Sequence, residues 1–263
     1  MHEIERHGDV TRVRLWSRMG AAAGYDVSVY LTRGVLIDTG FPRAARELRR
    51  LVGEVHAQGA IVTHWHEDHA GNAARLAQLG LPLDLADETV AMLRTRPAIR
   101  LYRRAVWGRP PEFPSTFERL EHPALRRVPT PGHSEDHHVV WDAERETMFS
   151  GDLWLGVRSR VMHEHEEPHR IVESLKRAAA LAPRRMFDAH RGPVADPQRA
   201  IAARVTYLED RIGEIERRLR EGWTDRAILN EVLDGEESVA RFSFGEYARA
   251  NFVRAVRHHA THD

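Results

Sequence analysis

Three features of this 263-residue chain predict an α/β fold. Short apolar runs of strand character recur through its first two thirds, each closed by Gly, Pro or Asp. Helical patterns, with apolar residues three and four apart, lie between them. After Pro197 the strand signals stop and helical periodicity alone remains. The expected organisation is an α/β body over residues 1–197, followed by a helical C-terminal extension over 198–263 packed on it. A chain of this length can bury one large core or two small ones.

Residues 10–16, 27–31, 35–38 and 60–63 read as strands, with one helix over 42–52 between them. Val35-Leu36-Ile37 runs straight into Asp38-Thr39-Gly40, the pattern of a buried strand entering a turn. Residues 68–79 fit a helix with Ala70, Ala73, Ala74 and Ala77 at small-residue spacing. Residues 87–104 read as helical with an interruption at Pro97. The stretch 107–114, WGRPPEFP, must be loop. It either caps the site or joins two helices. Strand patterns return at 125–128, 138–141 and 147–150, and a helix over 166–181 leads to a short strand at 186–188. Beyond Pro197, residues 199–221 place Ile201, Val205, Leu208, Ile212, Ile215 and Leu219 on one helical face, which Gly222 closes. Thr224 is an N-cap for the next helix, and a last one spans 244–258. No repeat or low-complexity tract is evident.

Composition narrows the function. The chain is 42% hydrophobic and 30% charged, ordinary for a globular protein. Basic and acidic residues number 39 each, so no global field draws a polyanion and nucleic acid is disfavoured. Cysteine is absent, which excludes disulfides, thiolate metal sites and Cys nucleophiles. The N-terminal segment is polar and no run of eighteen apolar residues occurs, so a soluble, cytoplasmic protein is expected, with no membrane partner.

The strongest local signal is Thr63-His64-Trp65-His66-Glu67-Asp68-His69, followed by Ala70-Gly71-Asn72. In an extended segment His64 and His66 point the same way, because side chains repeat every second residue. They can grip one ion together. The following turn into a helix sends Asp68 and His69 to a neighbouring point. The spacing thus supplies two adjacent sites whose imidazole and carboxylate ligands suit zinc, with iron or manganese compatible. Three later pieces place a metal-type ligand at a strand end beside Gly or Pro: Gly132-His133, Gly151-Asp152, and His190 ahead of Gly192-Pro193. Loops at one edge of a sheet scaffold are where active sites are commonly built.

These motifs, in this order, resemble the metallo-β-lactamase superfamily over roughly residues 10–195. The superfamily pattern is an early Asp-Thr-Gly turn, His-x-His-x-Asp-His, a Gly-His turn, a Gly-Asp strand end and a late His. The helical tail is more loosely similar to that of glyoxalase II-like hydrolases. The resemblance implies an αββα sandwich of two mixed β-sheets flanked by helices. It also implies a metal set in which His64, His66 and His133 hold one ion, Asp68, His69 and His190 hold a second, and Asp152 bridges them. Asp38 then orients a ligand from outside the set. Arg191 departs from the pattern, since many relatives have His-Gly directly, and its insertion is expected to shift that loop.

Two ions about 3.5–4 Å apart lower the pKa of a shared water and polarise the substrate oxygen. The expected activity is therefore a dinuclear hydrolase acting through a metal-bridging hydroxide on a small ester, thioester or lactone. Asp68 is the expected catalytic carboxylate. The alternatives on the same frame are a phosphodiesterase or nuclease, and a mononuclear iron oxygenase. An antibiotic-hydrolysing role is disfavoured, because lactamases of the family generally lack the bridging Asp. Further candidates surround the ligands. His137, with His138 beside it, is a supporting residue at a strand start. Arg158, Arg160 and His163, with His165, are candidates for gripping a substrate anion, since guanidinium forks match carboxylate and phosphate. Tyr25 and Trp65 are candidates for the pocket wall, and Glu67 is expected to face solvent between ligands. The C-terminal helices either cover the site or form a homodimer contact.

Overall fold

The computed structural model describes residues 1–95 and 97–262. Arg96, in the expected 87–104 helical stretch, and Asp263, at the end of the expected extension, lie outside the described residues. The chain opens with strands β1 (His2–His7) and β2 (Val10–Leu15), helix α1 (Arg18–Ala23), and strands β3 (Val27–Thr32) and β4 (Val35–Ile37). Helix α2 (Ala45–Val55), β5 (Gly59–Ile61), α3 (Ala73–Gln78) and β6 (Leu83–Asp84) follow. Next come α4 (Asp87–Thr95), α5 (Leu101–Val106), β7 (Leu125–Pro129), β8 (His138–Asp142) and β9 (Thr147–Phe149). Then come β10 (Met162–His163), α6 (Pro168–Ala179), β11 (Arg185–Asp188) and β12 (Gly192–Val194). The chain ends with α7 (Pro197–Arg220), α8 (Asp225–Val232), α9 (Ser238–Phe242), β13 (Tyr247–Ala248) and α10 (Ala250–His262).

The strands form two mixed sheets. One runs β1-β2-β3-β4-β5-β6, antiparallel up to β4 and parallel from β4 through β6; the other runs β12-β11-β9-β8-β7. The sheets face each other across an inner core of Val10, Tyr30, Ile37 and Ile61 from the first sheet and Val140, Phe149 and Phe187 from the second. Each outer face is covered by helices. Leu36, Ala60 and Val62 pack with Leu48 of α2 and Leu76 of α3. Val139, Trp141 and Met148 pack with Leu175 of α6, Leu208 and Ile212 of α7, and Phe252 of α10. Helix, sheet, sheet and helix are thus stacked as four layers, because central strands such as β4, β5 and β8 send apolar side chains to both faces. A third, two-stranded pairing joins β10 to β13, tying the chain after Asp152 to the C-terminal segment.

Several elements differ from the sequence reading. Strand β1, HEIERH, is mostly exposed and polar, yet it pairs with β2 over its full length, from His2↔Leu15 to His7↔Val10. An edge strand needs no apolar face, so its sequence carries little strand signal. The helix expected over 68–79 is regular only from Ala73; residues before it form turns. Residues 244–258 begin not as a helix but as the short strand β13, after Phe244 and Gly245 turn at positive φ. Among the described residues no helix is long and apolar enough to cross a membrane.

Candidate metal centre

In the second sheet β7, β9 and β11 run the same way, since β8 is antiparallel to both β7 and β9 and β11 is parallel to β9. Their C-terminal ends share one edge, and the loops leaving them carry His133, Asp152 and His190. The run His64–His69 leaves the C-terminal end of β5. Backbone bonds bring these loops together: His138 N donates to Thr63 O at 2.9 Å, and Ala189 N to Gly151 O at 3.4 Å. Gly151 sits at φ +50°, and a Cβ there would meet His137 Nε2 at 2.7 Å and Thr63 Cβ at 3.0 Å. Only glycine allows that turn and that approach.

Two clusters result. His64, His66, His133 and Asp152 converge in one; Asp68, His69 and His190 converge in the other. Asp152 faces both. Its Oδ2 lies 3.4 Å from His133 Nε2, and its Oδ1 lies 3.3 Å from both His69 Nε2 and His190 Nε2. Asp68 Oδ2 lies 3.6 Å from His190 Nε2 and 3.8 Å from His69 Nε2. All seven side chains are buried except His190, which is 23% exposed and forms the open side of the centre.

The outward ring nitrogens fix the tautomers. His69 Nδ1 donates to Asp38 Oδ2 at 2.8 Å, His133 Nδ1 to Glu166 Oε1 at 2.6 Å, and His190 Nδ1 to Asp26 O at 2.5 Å. Thr63 Oγ1 gives its proton to Asp38 and accepts from His64 Nδ1 at 3.0 Å. With those protons placed, Nε2 of His64, His69, His133 and His190 turns a lone pair inward. His64 Nε2 and His133 Nε2 each lie 3.0 Å from His66 Nδ1. Three nitrogens converging within hydrogen-bond distance while two of them lack a proton is the arrangement of donors around a shared cation. His69 Nε2 and Asp152 Oδ1, both buried, have no hydrogen-bond partner, which fits a cation between them. The donor set, imidazole with carboxylate and no thiolate, suits a divalent ion.

Charge does not divide the residues as geometry does: despite its burial, His133 of the first cluster is raised from the usual histidine range by its bond to Glu166 and by Asp152. Burial, then the neighbouring imidazoles, holds His64 and His66 well below the usual histidine range, in the neutral ligating form. Burial opposes protonation of His69 and His190, but the facing carboxylates, Asp152 foremost, win: His69 lies well above the usual range and His190 is pushed up to about 9. Asp152 titrates well below the usual carboxylate range, because His69 and His190 outweigh its burial. The carboxylates of Asp152 and Asp68 thus draw positive charge to this cluster.

The supporting residues divide into those the sequence pointed to and those it did not. Asp38, held in the left-handed region at φ +63°, accepts from Thr63 N at 2.8 Å as well as from His69. His137 Nε2 accepts from Asp152 N at 3.1 Å while its Nδ1 faces Thr130 Oγ1 at 2.9 Å. Glu166, the partner of His133, had no motif to mark it. Asp136 likewise ties Trp65 N, Thr89 and Ser134 together, and Asp188 accepts from the backbone of Leu155, His190 and Arg191. The extra Arg191 is thus accommodated within the loop.

Glu67 corrects the sequence reading. It does not face solvent: it is 1% exposed and forms a bidentate pair with Arg103, both contacts at 2.6 Å. The side chain alternates away from the ligands, and α5 covers it there. Of the candidates for gripping a substrate anion, Arg158 and Arg160 are exposed. His163 is buried, 3.1 Å from Glu246 Oε1 and 3.4 Å from Arg103 Nη1, with its ring centroid 5.9 Å from that of His66. His165 is exposed beside it. Tyr25 is also exposed, next to the Asp26 that holds His190.

A four-layer αββα sandwich with two adjoining His/Asp clusters at one loop edge defines a class of metal-dependent hydrolases. Comparison with known proteins identifies the family. The family model of the metallo-beta-lactamase superfamily matches residues 24–201. The chain belongs to the metallo-beta-lactamase superfamily. It is 28% identical over 222 residues to the beta-lactamase-like protein 2 homolog of Caenorhabditis elegans, covering 80% of this chain and 70% of that one. It is 30% identical over 192 residues to an atrochrysone carboxyl ACP thioesterase of Aspergillus fumigatus, covering 68% of this chain and 41% of that one. This chain thus spans less than half of that thioesterase. It shares the fold of a metallo-beta-lactamase family protein from Thermus thermophilus, with a TM-score of 0.67 at 20% identity over 96% of this chain and 94% of that one.

Proposed function

We propose that the chain is a dinuclear zinc hydrolase of small thioesters, with esters and lactones as chemical neighbours. The single observation that carries this reading is Asp152, whose two oxygens face the two clusters separately. His64, His66 and His133 would hold one ion, Asp68, His69 and His190 the other, and Asp152 would join them. When bound, such a pair of ions brings the pKa of water near neutrality and polarises a carbonyl oxygen. The remaining work falls to side chains of this chain. Asp68, 12% exposed at the open edge beside His190, would orient the attacking water and take its proton. That proton would pass to the departing sulfur as the C–S bond breaks and the C–O bond forms. Asp38 and Glu166 would hold His69 and His133 in the ligating tautomer, and His137 would position Asp152 through its backbone N–H. Thioesters are placed first because relatives of this chain are named thioesterases. We also read residues 198–263 as an extension packed on the catalytic body 1–197, since α7 and α10 share a core with the second sheet.

Elemental analysis of the purified protein, followed by a panel of thioester, lactone and bis-p-nitrophenyl phosphate substrates, tests the reading. About two zinc ions per chain and preferential thioester turnover are expected. One iron per chain, or preferential turnover of the phosphodiester, would overturn it. Asp68→Asn is expected to lower kcat at least a hundredfold while at least one ion per chain is retained.

A further inference from the structure

A groove of about 530 Å³ lies along α3 and α5, and its lining includes Arg43, Arg75, Arg104 and Arg109 but no carboxylate. Among the described residues none of these four guanidinium groups has an acidic partner. Two are held in place by other means. Arg43 lies across Gly108, where a Cβ would meet its Cγ at 3.0 Å, and its Nη2 reaches the Arg104 carbonyl at 3.5 Å. Arg75 Nη1 donates to Asn72 Oδ1 at 3.0 Å. In a chain of zero net charge this groove is locally and strongly positive.

A second cavity, more enclosed and of about 220 Å³, shares Arg104 and Arg109 with the groove. Its wall is mainly apolar, with Met92, Leu93, Ile99 and Phe113, and its inner end is Trp65 and Glu67. Among the described residues the one carboxylate in its lining is Glu67, whose charge is already met by both arms of the Arg103 fork. None of the seven metal-cluster residues lines it. Glu67 turns from the ligand cluster to Arg103 of α5, and Trp65 lines the cavity beside it. The cavity therefore adjoins the run that carries His64, His66 and Asp68 without being lined by them.

We propose that groove and cavity form one binding site, separate from the metal centre, for a small amphiphile with an oxyanion head and an apolar tail. Guanidinium forks match carboxylate and phosphate oxygens, and no carboxylate among the described residues lines the groove. An apolar cavity of about 150 Å³ accepts benzene, so this one accepts a tail of about six to ten carbons. Arg104 and Arg109 stand at the junction, where the head of such a ligand meets its tail.

Calorimetric titration of the metal-loaded protein with octanoate, octyl phosphate, octanol and inorganic phosphate tests this. Octanoate or octyl phosphate, or both, should bind saturably at about one per chain, and the stronger of the two identifies the head the groove prefers. Octanol and inorganic phosphate should each bind at least tenfold more weakly, having only half of the ligand. The Arg104→Gln/Arg109→Gln variant changes exposed side chains and should melt with the wild type, yet bind the preferred amphiphile at least tenfold more weakly. Absence of saturable binding, octanol binding as tightly as octanoate, or unchanged affinity in the double variant would each overturn the proposal. The last result would place the head elsewhere, on the ions included. None of these readouts depends on which substrate the metal centre hydrolyses.

Discussion

Four inward lone pairs of the candidate metal centre, those of His64, His69, His133 and His190, are each secured by a bond on the far side of the ring, and those bonds differ in what they demand. His190 uses a main-chain carbonyl, which no substitution of Asp26 removes. His133 depends on the carboxylate of Glu166, and His69 on that of Asp38. Removing either carboxylate frees a ring to rotate or change tautomer, which costs about 10–100-fold in metal affinity. Glu166→Gln should therefore weaken binding at the cluster containing His133 by about that factor, and Asp26→Asn should leave affinity within about twofold. Competition against a chelating dye reads both, and equal affinity in Glu166→Gln and wild type would remove Glu166 from this role. At this scale legibility followed spacing. The run His64–His69 announces itself because four donors fall within six residues. Asp38 stood out because a strand ends on it. Glu166 lies 33 residues from its partner in a Glu-rich segment, so neither local period nor turn chemistry marks it.

Helix α5 carries the most consequential single contact between elements. Arg103 pairs with Glu67 from the ligand run and with Glu246, next to β13, at 3.0 Å, and all three side chains are buried. A buried charge left alone costs far more than an exposed one, so Arg103→Met should destabilise the protein by about 3–5 kcal/mol. The double change Glu67→Gln/Arg103→Met should recover part of that loss. Urea denaturation of the three proteins decides it, and a cost below about 1 kcal/mol for Arg103→Met would make the pair peripheral. Glu246 adds a pH signature. Despite its burial, hydrogen bonds from His163 and Tyr102 and the charge of Arg103, with Arg100 also near, hold it at about 2, against 4.5 for a free side chain. Its folded pKa is depressed, so the stability it contributes is complete above about pH 4.5 and declines as pH falls towards 2. Glu246→Gln should be less stable than wild type by about 2–3 kcal/mol at neutral pH, and the deficit should shrink between pH 4.5 and 3. A deficit that does not change with pH would assign Glu246 a packing role instead. Elements with a buried stripe, such as α2, α6 and α7, were legible in sequence because periodicity records burial. Helix α1 and strands β1, β10 and β13 were not. They are short or exposed and owe their conformation to neighbours, as β13 does to β10.

On the scale of the whole chain, the sequence break at Pro197 marks a change of periodicity but not a change of core. Ile201, Leu208, Ile212 and Ile215 of α7, with Phe252, Val253 and Val256 of α10, lie in the same apolar cluster as Val139, Trp141 and Met148 of the second sheet and Leu175 of α6. That sheet in turn closes the inner core against the first sheet, and the loops at its edge carry His133, Asp152 and His190. The candidate metal centre is therefore supported from below by a layer that the last helices help to complete. Leu208 is fully buried at the middle of that layer. Truncating it to Ala leaves a cavity and should cost about 2–5 kcal/mol. If the extension and the body are one cooperative unit, the loss must reach the metal centre. Leu208→Ala should lower the urea midpoint of tertiary structure, followed by tryptophan fluorescence, and of metal release, followed by a chelating dye, by the same amount in one shared transition. If residues 198–263 instead fold as an independent unit, Leu208→Ala should split the curve. Helical signal would then be lost first, with the metal retained to the wild-type midpoint. The shared transition is expected, because Leu208 and Ile212 of α7 share one apolar cluster with Val139 and Trp141 of β8, and β8 is paired on either side with β7 and β9, from whose ends the loops carrying His133 and Asp152 leave.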